Sequence, residues 1–476
     1  VTDVDNFDLI VIGGGPGGYP AAIKAAEAGK TVALIEKKDL GGTCLNRGCI
    51  PTKTLLHTTE LYREIREAGR FGISCEEPKL DEPTMWQHKD KTLDTLRSGV
   101  AQLLKKAGVA VFNGVGRLED VEGEQKTVSV TAPDGQETAL HGQYVLIAAG
   151  SKPARLPIPG ADLPGVLNSD NVLDDNFLGG QHMVIIGGGV IGMEMATVYS
   201  NLGRKVTVLE AMDRVLAGMD KEISQNLKMI LKKRGVDIIT SAMVRGIEQD
   251  GSGFSCSYDV TNKKGEVTPG SVYGDNVLIS TGRQPDTEGM YADSAMLDLL
   301  REKNALDRRG YFVVNDSFET VFPNVYAIGD VIGKIQLAHV ATAQGIAAVE
   351  QMFGWAKTQN LDVVPSCVYT DPEIASVGMT EEQAKEAGIE AESRKYLMSA
   401  NGKSVLTLQE RGFIKLVAAK AGGRILGAHL MCARATDIIG QLGLAIVKGM
   451  TVQDVASVIM AHPTFSEGIM EAAQSF

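Results

Sequence analysis

The sequence predicts an α/β protein in which one strand–helix–strand unit occurs twice and is followed by an α+β region of different pattern. Three observations carry that expectation. A glycine-rich turn follows a buried strand near the start, the same turn recurs near the middle, and no such fingerprint appears beyond about Asp362. At 476 residues, 44% hydrophobic and 22% charged, the chain has ordinary globular composition and is too long for one core. Its net charge of −12 and pI near 5.2 argue against nucleic acid or an anionic membrane as partner, because both select a basic surface. The most apolar stretch, 183–200, holds Gly187, Gly188, Gly189, Gly192 and Glu194 and does not read as a membrane span. The acidic start, Val1 to Asp5, has neither a signal-peptide nor an Arg-rich transit pattern, so a cytoplasmic location is expected, or an organelle matrix if a leader has been removed.

In the first copy, Asp8 to Ile12 reads as a buried strand. The run Gly13-Gly14-Gly15-Pro16-Gly17-Gly18 is the turn, a helix continues to Ala28, and a strand from Val32 to Ile35 ends at Glu36. This is the Rossmann order of a dinucleotide-binding unit. Gly13 permits the tight turn, Gly15 lets the backbone approach a pyrophosphate, and Gly18 lets the helix pack on the strand, with the helix dipole facing the phosphates. Glu36 is placed to accept hydrogen bonds from a ribose. The second copy runs from His182 to Ile186 through Gly187, Gly189 and Gly192, a helix to Leu202, and Val206 to Leu209 ending at Glu210. In both, the acid follows the third glycine by 18 residues (18 to 36, 192 to 210). Apolar strands ending in small-residue turns at Gly150 and Gly282 extend the duplication. The first glycine precedes that turn by 137 residues in copy one and 95 in copy two, and the surplus holds a cysteine segment and a helical stretch around 54–68. Two matched copies predict two dinucleotides. Glu210 favours a free 2′-hydroxyl, hence NAD over NADP, although Arg214 lies close enough in sequence to weaken that preference.

Cys44 and Cys49 stand in GGTCLNRGCIPTK, residues 41–53. A regular helix separates such a pair by more than the roughly 4.4–6.8 Å a disulfide needs between Cα atoms, so the segment is expected to be irregular if the pair is joined. Gly41, Gly42 and Gly48 supply the freedom, and Pro51 suits the first turn of a following helix, whose dipole favours a thiolate. A static disulfide or two buried thiols is the competing reading, disfavoured in a reducing compartment. If the pair is redox-active, copy one holds the flavin and copy two the nicotinamide. Cys75, Cys256, Cys367 and Cys432 are scattered without metal-ligand spacing and are expected to be buried apolar residues, with no metal site. Downstream, a strand ends at Gly329-Asp330, where Asp330 suits a ribityl or ribose hydroxyl. His462 lies five residues before Glu467, which is placed to orient its imidazole.

The cysteine segment, the two glycine turns, the Gly329-Asp330 strand end and AHPTFSE (461–467) resemble the pyridine nucleotide–disulfide oxidoreductases over essentially the whole chain. They are most similar to the branch that oxidises lipoyl dithiols, as are segments 365–373 and 398–402. The resemblance implies a homodimer using FAD and NAD. It implies an FAD-binding domain with a redox disulfide over 1–150, an NAD-binding domain over 151–282, a central domain over 283–350 completing the FAD site, and a dimerisation domain over 351–476. Cys44 is then the sulfur attacked by substrate and Cys49 the flavin-proximal one, with Lys53 and Glu194 an ion pair at the flavin ring. Gly116, Gly150, Asp330, Ala338 and His339 join the FAD contacts, and Val244 and Gly282 the NAD contacts. His462, before a cis proline, and Glu467 come from the opposite subunit. The implied reaction oxidises dihydrolipoyl groups on a carrier protein of a 2-oxoacid dehydrogenase complex or the glycine cleavage system, with reduction of NAD. Reduction of another small disulfide by NAD(P)H, and a flavin redox sensor without turnover, are the alternatives. Two departures from the family pattern are Met379 and Arg47, the latter placed between the cysteines where it bears on thiolate stability.

Overall fold

A computed structural model describes residues 6–174 and 176–476, and the acidic start at 1–5 lies outside them. β1 (Asn6–Ile12), α1 (Gly18–Glu27) and β2 (Val32–Glu36) follow one another as the glycine turn dictates, with Leu9, Ile10, Val11, Leu34 and Ile35 buried. The chain then inserts α2 (Gly42–Arg47) and α3 (Cys49–Arg66) before α4 (Glu82–Ala107) returns it to β3 (Ala110–Asn113). The helical stretch expected around 54–68 is the body of α3. The sequence pattern does not announce α4, because Met85, Trp86, Leu93, Val100 and Leu104 form a sparse apolar stripe among many charges. β4 (Val115–Asp120), β5 (Lys126–Thr131) and β6 (Glu137–Ile147) complete a sheet of order β3-β2-β1-β6-β5-β4.

β7 (Ser151–Pro153), β8 (Val166–Asn168) and α5 (Ser169–Asp174) lead into the second unit. There β9 (His182–Ile186), α6 (Val190–Asn201), β10 (Lys205–Glu210), α7 (Lys221–Lys233) and β11 (Val236–Thr240) repeat the first pattern. The meander β12 (Ala242–Asp250), β13 (Gly253–Thr261) and β14 (Val267–Gly274) then delivers β15 (Asn276–Ile279) to a parallel sheet of order β11-β10-β9-β15-β8. From Gly192 to Asn201, α6 is buried on every side. The reason is α3, which crosses from the first unit to cover the face the sheet leaves open. Leu55 and Leu56 of α3 share a core with Met193, Val198 and Tyr199, and Arg63 donates to Asn201 at 3.1 Å.

β16 (Arg283–Pro285), α8 (Ser294–Glu302), β17 (Val325–Ala327) and α9 (Ala338–Met352) carry the chain back to the first unit. The early residues of β6 pair antiparallel with β5, and its last ones pair in parallel with β17, Val145 opposite Val325. Met290, Leu300, Phe312, Phe322 and Val349 join the core around β1, so the segment 283–350 packs into the first unit rather than around a centre of its own. Beyond it, β18 (Ser366–Val368), β19 (Ile374–Gly378), β20 (Ala391–Leu397), β21 (Phe413–Ala419) and β22 (Ile425–Met431) form an antiparallel sheet of order β18-β19-β22-β21-β20. Helices Ala435–Val447 and Glu467–Gln474 bury Ile438, Leu442, Ile469 and Ala472 in the same core as this sheet.

Of the single cysteines, Cys256 and Cys432 are buried as expected, whereas Cys75 is exposed and Cys367 half-buried. Cys75 lies on the connection between α3 and α4, which packs on little. Cys367 sits on the edge strand β18 and faces a cavity. Among the described residues, no helix is long and apolar enough to cross a membrane.

Asp371 ties the three regions together. Its carboxylate receives Arg234 Nη2 from the end of α7 at 2.7 Å and also pairs with Arg63 of α3. Burial opposes ionisation there, but the two guanidiniums outweigh it and hold the carboxyl below the ordinary aspartate range. Replacing Asp371 by Asn should lower unfolding free energy by about 3 kcal/mol, because two guanidiniums lose their shared counter-charge. Since the folded-state pKa is depressed, the stabilisation is complete above the unfolded value near 4 and is lost as pH falls below it. Denaturant unfolding of both proteins should therefore show a gap at pH 7 that narrows below about pH 4.

Candidate active site

The disulfide exists because Gly48 breaks the helix between its two cysteines. At φ −144° and ψ −104° it separates α2 from α3, and the bonded pair Cys44–Cys49 has a Cα–Cα distance of 4.7 Å. Cys49 is the first residue of the 18-residue α3, at the positive end of its dipole. Gly42, at φ +58°, sets the pair beside the glycine turn, since a Cβ there would lie 2.7 Å from the Cα of Gly15. Arg47 is occupied by Asp39 at 2.8 Å and Asp174 at 3.0 Å, so its charge between the cysteines is matched by two carboxylates and fastens α2 to α5.

The two glycine turns match in dihedral angle and in contacts. Gly13 and Gly187 have φ of +107° and +109°, and a Cβ on them would meet Ala148 O at 2.3 Å and Ser280 O at 2.6 Å. A Cβ on Gly18 or Gly192 would fall 1.9 or 2.0 Å from the carbonyl oxygen of Gly13 or Gly187. Glu36 accepts from the amides of Gly14 and Lys38, both at 2.8 Å, and Glu210 from those of Gly188 and Met212 at 2.5 and 2.6 Å. Each acid thus clasps its own turn while its edge faces the same open space.

That space is one cavity of about 1470 Å³ running between both turns and the disulfide. Cys44, Cys49, Lys53, Glu194, Gly13, Gly15, Glu36, Gly116, Gly150, Asp330, Ala338, His339, Gly187, Gly189, Glu210, Val244 and Gly282 all line it. Gly18 and Gly192 do not, because their role is to close the turn against the helix. Asp330 is held by Ser151 Oγ at 2.5 Å, and Ser151 in turn by Arg283 Nε at 2.7 Å. His339 bonds to Pro365 O at 2.8 Å, so it also anchors the C-terminal region to the cavity rim. Thr342 donates to Pro16 O at 2.7 Å and, with Gly345, lets α9 lie against the first turn. Ser151, Arg283 and Thr342 carry no signal in the sequence, since their partners lie more than a hundred residues away.

Lys53 Nζ meets Glu194 Oε1 and Oε2 at 2.9 and 2.8 Å. His462 and Glu467 are joined, Nδ1 to Oε1, at 2.7 Å, across the cis His462–Pro463 bond and the turn that follows. The Thr464 amide, at 2.7 Å, and the imidazole hold the Glu467 carboxyl below the usual carboxylate range. Asn401, from the 398–402 segment, braces this loop by donating to Thr464 O at 3.0 Å. The pair does not line the cavity of its own chain, and the His462 side chain is 76% exposed.

Residues 7–345 match the family described as pyridine nucleotide-disulphide oxidoreductase, and residues 364–473 its dimerisation domain. The chain belongs to this family. It is 40% identical to a dihydrolipoyl dehydrogenase of Bacillus subtilis (strain 168), over 98% of this chain and 97% of that protein. Among solved structures it resembles LpdA from Mycobacterium tuberculosis, with a TM-score of 0.87 and 27% identity over 98% of this chain and 99% of that one. It also resembles the HOCl-induced flavoprotein disulfide reductase RclA from Escherichia coli, with a TM-score of 0.82 and 29% identity over 98% and 99% of the two chains. As a family member the protein is an oxidoreductase with FAD and NAD as cofactors, and the residues present fit both. The positions a Cβ would take on Gly150, Gly189 and Gly282 are open space, and on Gly15 the nearest atom is 3.7 Å away, so dinucleotides can approach bare backbone at both turns.

The geometry separates two kinds of glycine. Gly13→Ala should yield protein stripped of most of its flavin, read from the ratio of visible to ultraviolet absorbance, because of its positive φ and the clash with Ala148 O. Gly189→Ala should keep its flavin and raise the KM for NAD, because its methyl points into the open cavity.

Proposed function

We infer that the protein oxidises dihydrolipoyl groups borne on a carrier protein to the cyclic lipoyl disulfide and reduces NAD to NADH. The observation that carries this reading is the Cys44–Cys49 disulfide on the wall of one cavity that also contains both glycine turns. Full-length similarity to a dihydrolipoyl dehydrogenase supports the choice of substrate. The active enzyme is a homodimer in which His462 and Glu467 of one subunit complete the site around Cys44 and Cys49 of the other. An exposed imidazole outside its own cavity supports that arrangement, as do the dimerisation domain and its exposed Leu444 and Ile459. The carrier belongs to a 2-oxoacid dehydrogenase complex or the glycine cleavage system.

His462, fixed in tautomer by Glu467, takes the proton of one substrate thiol. The resulting thiolate attacks Cys44 Sγ, the Cys44–Cys49 bond breaks, and Cys49 leaves as a thiolate stabilised by the amino end of α3. The second substrate thiol attacks its partner sulfur in the mixed disulfide, losing its proton to His462 as the imidazolium passes its own to the leaving Cys44. The ring disulfide closes and Cys44 departs with a proton from His462. FAD, which Gly13, Glu36 and Asp330 would hold, would supply the two-electron acceptor for the protein dithiol, and NAD, which Gly187 and Glu210 would hold, the final hydride acceptor. Lys53 and Glu194 line the cavity where the ring would lie, and the ammonium there favours negative charge. Glu210, at the end of β10, selects a ribose without a 2′-phosphate.

Steady-state reduction of NAD by dihydrolipoamide tests the reading. Cys44→Ser and Cys49→Ser should each abolish turnover while the protein stays yellow. His462→Gln should lower kcat by about 10²- to 10⁴-fold. NADP should be a poor acceptor. Turnover surviving in Cys44→Ser, or flavin-loaded enzyme inert with dihydrolipoamide and with NADH plus lipoamide, would redirect the assignment to another disulfide of the kind RclA-like reductases handle.

A further inference from the structure

Tyr369 lies in the segment 365–373, which the mechanism above leaves without a task. It follows β18 of the C-terminal sheet, so it reaches the cavity from a different region than Lys53 on α3 or Glu194 on α6. Two contacts fix it there. Its amide donates to Glu194 Oε1 at 3.0 Å, and its ring centroid lies 4.6 Å from Lys53 Nζ. Glu194 Oε1 is therefore shared between the ammonium, at 2.9 Å, and a backbone amide of the C-terminal region. Glu194 is 3% exposed, so its carboxylate relies on these partners more than on bulk water.

A buried carboxylate with only one cationic partner would draw the ammonium to itself and cancel its field. Here the amide takes up part of the charge on Oε1, while the ring quadrupole attracts Nζ from another direction. Both effects hold Nζ on the cavity wall with part of its charge uncompensated. We propose that Tyr369 is a positioning residue for the redox step. Its ring and amide hold Lys53 where its charge bears on the flavin, which makes the flavin's potential depend on how the C-terminal region is seated. The inference rests on the reading that Lys53 lies at the flavin ring.

Reductive titration of the holoenzyme tests it, with the flavin midpoint potential as readout. Tyr369→Leu removes the ring and keeps the amide, whereas Tyr369→Phe keeps both. The leucine variant should shift the two-electron equilibrium toward oxidised flavin by about three- to tenfold, tenfold being about 30 mV, and the phenylalanine variant should stay close to wild type. In a Lys53→Gln background, Tyr369→Leu should produce no further shift. If the leucine variant does not retain FAD, Tyr369→Met carries the same comparison. An unchanged potential in the ring-less variant, or an equal shift without Lys53, would overturn the proposal while leaving Lys53 at the flavin. A Lys53→Gln enzyme with wild-type potential would instead show that the placement of Lys53 is at fault, and the proposal would fall with it.

Discussion

The burial of the Glu194 carboxylate is the constraint on which the arrangement of the three regions turns. A carboxylate on a helix enclosed on every side needs its partners brought to it, because leaving one buried charge unmatched costs several kcal/mol. The ammonium comes from α3 and the amide from the strand segment that follows β18. Neither can arrive unless α3 lies across α6 and the C-terminal sheet closes over both. Arg63, ten residues beyond Lys53 on α3, repeats the logic with Asp371 and Arg234. The helix that begins at the disulfide is thus locked at two points to the second unit and the C-terminal region. Redox chemistry at Cys49 and the assembly of the whole molecule share one structural element.

Duplication provides the second organising theme. The two glycine turns are the same object down to the acid that clasps them, yet one lies against a disulfide and the other does not. The difference is the insertion of α2 and α3 between β2 and α4, where the second unit passes from β10 to α7 through a short loop. Gly42 packs on Gly15 at backbone distance, so the insertion places a sulfur pair beside a dinucleotide turn without a long side chain to bridge the gap. Two copies facing one cavity permit two cofactors to exchange electrons over a short path, which a single copy does not provide.

The His462–Glu467 pair, proposed above as the base, is oriented entirely outside the cavity of its own chain. Its orientation is complete within one chain: Glu467 bonds Nδ1 and the Thr464 amide, and Asn401 fixes the same loop from the neighbouring segment. Neither residue of the pair lines the chain's own cavity. This firmly set and exposed side chain belongs to a C-terminal region of the dimerisation type.

Periodicity and glycine spacing made both nucleotide units legible, because strand burial and a positive-φ turn are local requirements that leave a local mark. The cysteine pair was legible for the same reason: the freedom that lets two nearby cysteines meet must be written between them, and Gly48 is where it stands. The insulation of α4 by charge hid a 26-residue helix, and the single cysteines could not be sorted, since Cys75 and Cys367 differ from Cys256 and Cys432 only in what covers them. Ser151, Arg283, Thr342, Asn401 and Tyr369 were equally silent, each being a hydrogen-bonding or aromatic residue whose meaning depends on a partner far along the chain. The sequence by itself determined which cofactors the backbone can approach and which sulfurs can join. Tertiary structure alone decided that both turns open into one cavity and that Lys53 is held from two sides. It also decided that His462 stands exposed outside the cavity, because burial and electrostatic pairing act between segments that share no local pattern.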